Sequence, residues 1–267
     1  MPHQPHDPLA LLLHVGDAFA TLFRHGPRFE ARLDAESWFT SAGGAHCIWS
    51  WVCLTSASPT CMATLRESVA AIRERRIEGL VCYPPDAAPA LAQIVRELGL
   101  GEPDVVPLMV CGATDVPPLV PSNVTVERLT GGPMLVAAVA VIAASFDIPL
   151  DQTRRAFTAD LLGEPAVQAY VAHRAGTVVG LLAATRFGDT VSIDIMAVDP
   201  AAQRQGIGRA LILAAMHAQI AAGATAFHLL SSHEGHRLYH QVGFTTLLST
   251  LTRLIPLDPI PPDQVVP

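Results

Sequence analysis

Residues 190–223 limit the fold more than any other stretch. Thr190-Val-Ser-Ile-Asp-Ile-Met-Ala-Val198 is rich in β-branched residues and has the period of a strand, with Val191, Ile193, Ile195 and Ala197 on one face and Ser192, Asp194, Met196 and Val198 on the other. Asp199-Pro200 stops it. Ile207, Leu211, Ala214, Ala218 and Ala222 then recur at helical spacing, and Gly223 stands where a helix commonly ends. The loop between them opens onto a helix N-terminus, where unpaired backbone N–H groups and the positive end of the peptide dipoles attract anions. Gly206 has no Cβ to block a phosphate, Gly208 lets the first turn pack closely, and Arg204 and Arg209 add positive charge. The chain is therefore α/β, with an anion site between a strand and a helix.

Neither a dinucleotide Gly-x-Gly-x-x-Gly directly after its strand nor a P-loop Gly-x-x-x-x-Gly-Lys followed by Ser or Thr occurs here. Gln203-Arg-Gln-Gly-Ile-Gly208, after Val198-Asp-Pro200, instead resembles the acetyl-CoA loop of the GNAT N-acetyltransferase superfamily, whose pattern is Gln or Arg, two residues, Gly, one residue, then Gly or Ala. Ala226-Phe-His-Leu-Leu230 reads as the next strand. Gly235-His-Arg-Leu-Tyr-His-Gln-Val-Gly-Phe244 resembles the second signature of that superfamily, a short helix carrying Leu-Tyr and ending in Gly-Phe.

The resemblance covers residues 123–255. Strands are expected at Val124–Leu129, Val167–His173, Thr177–Thr185 and Thr245–Ile255, and helices at Met134–Phe146 and Thr153–Leu162. It implies a mixed central sheet flanked by helices. It further implies that the backbone of Met196, Ala197 and Val198 pairs with the pantetheine arm of acetyl-CoA, while the loop amides of Arg204, Gln205, Gly206, Ile207, Gly208 and Arg209 hold the diphosphate. Tyr239 occupies the Leu-Tyr position, where a phenol can protonate the departing thiolate, and is the candidate acid; the alternative is a packed aromatic whose hydroxyl caps a chain end.

The resemblance does not assign a general base. Some members carry Glu two positions before Asp194, where this chain has Ser192. Asp194 shares the Ser192 face and either takes a proton, directly or through water, or orients substrate. His233, Glu234 and His236 follow the next strand and are surface residues or further candidates. The implied reaction is direct acetyl transfer from acetyl-CoA, as co-substrate, to an amine of a small molecule or protein. The rival is a catalytically silent acyl-CoA-binding regulatory module. A longer acyl group is a third reading.

After a helix over Pro8–Phe23, the first half reads as strand, helix, strand, helix, strand: a strand over Ala45–Leu54, helical spacing from Met62 to Ile77, a strand at Gly79–Tyr83, a helix through Leu91 to Leu98 and a strand at Val105–Cys111. It resembles a degenerate second copy of the same lobe. Thr55-Ser-Ala-Ser-Pro-Thr-Cys-Met62 has neither glycine nor a basic residue, so this half is not expected to bind CoA. The expected domains are 1–115, a Pro-rich linker at 116–122, the intact lobe at 123–255 and a Pro-rich tail at 256–267.

A net charge of −7 without a basic run argues against broad binding to nucleic acid or anionic membrane and is compatible with an amine partner. Thr130–Phe146 is short of the roughly twenty apolar residues a bilayer requires. Met1–Asp7 lacks the basic region of a secretory signal, so a cytoplasmic protein is expected. The cysteines, Cys47, Cys53, Cys61, Cys82 and Cys111, form no Cys-x-x-Cys pair and read as reduced and structural. His46-Cys47 is the nearest approach to metal ligands and no metal is expected; His3 and His6 read as a solvated tail. A homodimer is compatible with the sequence.

Overall fold

The computed structural model describes residues 7–119, 121–261 and 263–265. His3 and His6, Val120 of the expected linker, and Pro262 and Pro267 of the tail lie outside the described residues. In chain order the elements are α1 (Pro8–Phe23), β1 (Glu30–Leu33), β2 (Ser37–Ser41), β3 (Ser50–Leu54), α2 (Pro59–Glu74), β4 (Gly79–Tyr83), α3 (Ala88–Glu97), β5 (Pro103–Gly112), β6 (Thr125–Arg128), α4 (Gly132–Ser145), α5 (Leu150–Ala156), β7 (Val167–Arg174), β8 (Thr177–Phe187), β9 (Thr190–Val198), α6 (Ile207–Ala221), β10 (Ala226–Leu230), α7 (His233–Gln241) and β11 (Thr245–Ile255). They form two compact units, Met1–Leu108 with Leu247–Pro267, and Met109–Thr246. The boundary falls inside β5 and β11, away from the Pro-rich segment at 116–122. No described helix is long and apolar enough to cross a membrane.

The first unit is a mixed sheet in the order β1-β2-β3-β4-β11-β5, with β3 and β4 parallel and β11 antiparallel to β4. α2 and α3 bury Leu65, Val69, Ile72, Leu91 and Ile94 against Phe39, Val52, Leu54 and Val81. α1 packs instead against the indoles: Phe19 lies edge-on to Trp38 and Trp51, each 5.9 Å between ring centroids, and the Trp38 Nε1–H donates to the Leu12 carbonyl at 2.8 Å. Only glycine at position 16 permits this approach, since a Cβ there would lie 2.4 Å from Trp38 Cγ. Ile260 of the tail is held to this unit, its amide donating to the Gly99 carbonyl.

Two expectations for this half are corrected. The strand over Ala45–Leu54 begins only at Ser50, because Cys47–Trp49 forms a 3₁₀ turn capped by His46, whose Nδ1 accepts from the Ile48 amide at 3.3 Å. β1 and β2 were not anticipated. All five residues of β2 are buried, so its polarity does not alternate with a strand's period.

The second unit orders its strands β5-β10-β9-β8-β7-β6, with β6 through β9 antiparallel to one another in turn and β9 parallel to β10. α6 buries Ile207, Leu211, Ile212 and Met216 in one core with Val191, Ile193 and Phe227, while α4 packs on the other face of β8 and β9. The helix expected over Thr153–Leu162 is shorter. It stops at Ala156 because Phe157 leaves helical geometry (φ −109°, ψ 86°) as its ring is buried, and a 3₁₀ turn follows at Ala159–Gly163. Val116 and Pro117, expected in a stiff linker, are tied down within this unit: Val116 packs against the core and the His217 Nε2–H donates to the Pro117 carbonyl at 2.8 Å.

Candidate active site

β9 is laddered to β8 along its whole length but pairs with β10 only over Thr190–Ser192. From Asp194 to Val198 its second edge is open to a partner strand. The parting begins at a β-bulge: Ala184 faces Ile193 and Ala183 faces Ile195, which leaves Asp194 without a counterpart. An extra residue of this kind re-aims side chains and ends regular pairing. It also corrects the face assignment, because strict alternation grouped Ile195 and Ala197 with Val191 and Ile193. In the structure Val191 and Ile193 share their core with Met196 and Val198.

Asp194 keeps to the Ser192 face. The Ser192 hydroxyl donates to its Oδ1 at 2.5 Å and the Thr185 hydroxyl to its Oδ2 at 2.6 Å. Burial raises the carboxyl while these hydroxyls and a Thr185 backbone contact lower it; burial wins, and the group is pushed up to about 7. His228 stands in register with Ser192 on β10 and is 1% exposed, joining Thr185, Ser192 and Asp194 in a polar cluster set into an apolar sheet. Sequence reasoning missed Thr185 and His228. The available signal was a lone histidine inside the otherwise apolar strand Ala226–Leu230.

β9 runs directly into the loop. The Asp199 carboxylate accepts from the Ala201 amide at 2.8 Å and caps a 3₁₀ turn over Pro200–Ala202, and the Gln203 side chain then donates to the Val198 carbonyl at 3.2 Å. Arg204 and Gly206 both have left-handed backbone, φ +58° and +79°. Among the described residues the amides of Arg204, Gln205 and Gly206 have no backbone partner, and the first helical bond comes only at Ala210, to the Gly206 carbonyl. The amides from Arg204 to Arg209 thus form one run of unclaimed donors, an anion nest by geometry.

Gly206 has nothing within 4 Å of where a Cβ would sit, so space above it is open. Gly208 is crowded: a Cβ would lie 3.2 Å from Leu238 and 3.4 Å from Met196, which seats the α6 N-terminus against α7 and the end of β9. The Arg174 guanidinium donates to the Gln205 side-chain oxygen, bracing the loop from the end of β7. Arg174 also lines a cavity of about 230 Å³ beside the loop, together with Val179, Asp199 and Ala202. Sequence reasoning did not single it out.

α7 carries Tyr239. Ser232 caps the helix by accepting from the Gly235 amide at 3.1 Å. The Tyr239 ring is 8% exposed, tilts against Phe244 at 5.8 Å and lies over Gly235, where a Cβ would approach its Cε2 to 2.7 Å. Burial pushes its hydroxyl up to about 12. His233 and Glu234 are exposed and His236 is half-buried on the same helix.

Residues 165–246 match the family model described as Acetyltransferase (GNAT) domain, a span holding every residue of this site. The chain carries a GNAT acetyltransferase domain. The GCN5-related N-acetyltransferase from Kribbella flavida is similar in fold, with 18% identity over 90% of this chain and 94% of that one and a TM-score of 0.62. The GCN5-related N-acetyltransferase from Sphaerobacter thermophilus gives 13% identity, 85% and 82% coverage and a TM-score of 0.60. A tandem GNAT protein from the clavulanic acid biosynthesis pathway gives 13% identity, 92% and 88% coverage and a TM-score of 0.56. These likenesses are of fold. No curated protein matches the chain.

The first unit repeats the strand, loop, helix and parallel strand of the GNAT domain, but its own groups take up several of the loop amides. The Cys61 amide donates to Ser58 Oγ, the Ser58 amide to Ser56 Oγ and the Thr55 amide to the Glu36 carbonyl. The Glu36 carboxylate accepts from the Ser58 hydroxyl at 2.5 Å, which sets negative charge at the start of α2. The equivalent position thus uses several of its own donors internally and is electrostatically opposed to a phosphate.

The glycine under Tyr239 yields a stability test. Helix propensity favours Ala over Gly by about 1 kcal/mol, but overpacking a rigid ring costs roughly 1–3 kcal/mol. Gly235→Ala is therefore expected to lower the urea midpoint, and a raised midpoint would show that the ring moves freely.

Proposed function

We propose that the GNAT domain is an acetyl-CoA-dependent N-acetyltransferase whose acceptor is an amine of a small molecule or a protein. The observation that carries this reading is the open edge of β9, which starts at the Asp194 bulge and leads without interruption into the unclaimed amides of the loop. An extended amide-bearing arm followed by a diphosphate has the shape to fill both: strand-like pairing along Met196, Ala197 and Val198, then anion contacts from Arg204 through Arg209. Acetyl-CoA, when bound, supplies an activated acyl carbon on sulfur.

In this reading Asp194 accepts the proton released by the amine as its nitrogen bonds to the acyl carbon. Tyr239 donates its hydroxyl proton to the sulfur as the carbon–sulfur bond breaks and recovers one from solvent. Ser192 and Thr185 hold the carboxylate in place. Gln205 and Arg174 brace the loop, and Gly206 leaves room for the phosphates.

Titration of the purified chain with coenzyme A should release heat that Gly206→Asp abolishes. Aspartate tolerates the left-handed backbone, so the fold survives while a negative charge enters the phosphate space; undiminished binding would refute the loop assignment. With amine and acetyl-CoA supplied, free thiol should appear, and kcat/KM should fall as pH drops through about 7, because protonated Asp194 takes no further proton. Asp194→Asn should lose that acidic limb together with about 10²–10⁴-fold of rate; an unchanged profile would remove Asp194 from the reaction. Tyr239→Phe should lower kcat by at least about tenfold while leaving coenzyme A affinity within about twofold. Wild-type turnover in that variant would leave the ring with packing alone.

A further inference from the structure

α7 carries a histidine cluster outside the chemistry above. His233, His236 and His240 fall on one helical face at i, i+3 and i+7. Two of the rings meet: His236 and His240 stand edge to face with centroids 4.5 Å apart and Nε2 atoms 3.2 Å apart. The Thr246 hydroxyl oxygen, at the start of β11, lies 3.3 Å from the same His236 nitrogen. His240 is exposed and His236 half-buried, so both are open to solvent.

We propose that His236 and His240 form a binding site for a divalent transition-metal ion of the Zn²⁺ or Cu²⁺ type. With both ring protons on Nδ1, each Nε2 carries a lone pair, and the two atoms are close enough to share one ion. At metal–nitrogen lengths of about 2.0–2.1 Å, a 3.2 Å separation subtends about 100° at the metal, near the tetrahedral angle. Neutral imidazole suits Zn²⁺, Cu²⁺ and Ni²⁺. The Thr246 oxygen borders the metal position, and water fills the remaining places, since no group of three or more His, Cys, Asp or Glu side chains that could hold a metal gathers among the described residues. Occupancy would fasten the second half of α7 to the first residues of β11. The site stands on these side chains alone and does not depend on the acetyltransferase reading.

The test is calorimetric titration of the tag-free chain with ZnCl₂. A single equivalent of Zn²⁺ should bind, and His236→Ala and His240→Ala should each weaken it at least about tenfold. A His3→Gln, His6→Gln double variant should bind as the wild type does. That variant loaded with one equivalent of Cu²⁺ should show an electron paramagnetic resonance spectrum with two equivalent nitrogen couplings, a readout that needs no substitution in α7. The proposal is overturned by absence of Zn²⁺ binding in the wild type, by retained affinity in both alanine variants, or by a copper spectrum without nitrogen coupling.

Discussion

Asp194 has no counterpart on β8, and much of the site follows from that one unpaired residue. The bulge shifts the phase of the strand, so Met196 and Val198 turn toward the α6 core and lock against Gly208 and Leu238. It marks the place where β9 and β10 separate, which leaves backbone donors and acceptors along the last residues of β9 without a ladder. Asp194 itself joins Ser192 and Thr185 in a polar cluster on the face away from that core. A continuous β9–β10 ladder would be more fully hydrogen-bonded, but it would close the edge leading to the loop.

The two units show how little separates a loop with free amides from an ordinary turn. Both bring a strand through a short loop to the N-terminus of a helix and return by a parallel strand, so both have the same helix dipole to offer. In the first, Ser58, Ser56 and Glu36 take up several of the local donors and add a negative charge. In the second, two left-handed residues turn the backbone so that successive amides face outward, with side-chain contacts from Gln203, Gln205 and Arg174 fixing the shape. Topology supplies the field; whether the loop consumes its own donors decides if that field can be used.

Those features that local chemistry writes plainly were legible in the sequence. The bounds of β9, β10 and β11 agree with the strands expected at Thr190–Val198, Ala226–Leu230 and Thr245–Ile255, because alternation or a bounded apolar run marks them and turn-forming serine, glycine or proline lies at their ends. The loop motif is equally local. What escaped depends on contacts distant in the chain. β2 is buried on both faces by elements on either side of it, and α5 is cut short by the burial of Phe157. The Asp194 bulge exists only relative to β8, so no reading of β9 alone reveals it. Thr185 and His228 join the polar cluster through pairing with β9 from two different strands, and Arg174 meets Gln205 across a separation of 31 residues.

Burial acts on Asp194 and Tyr239 in the same direction with different chemical consequences. Desolvation penalises the charged form of each, raising the carboxyl to about 7 and the phenol to about 12. Asp194 is thereby brought from a weak base to one matched to neutral conditions, while its two hydroxyl donors keep it from rising further. Tyr239 has no such donors in opposition and stays protonated. Between those two values the carboxylate is ionised and the phenol neutral at once, so a proton acceptor and a proton donor coexist. On the proposed reading of the reaction, burial thus sets the pH range in which both groups are in usable form.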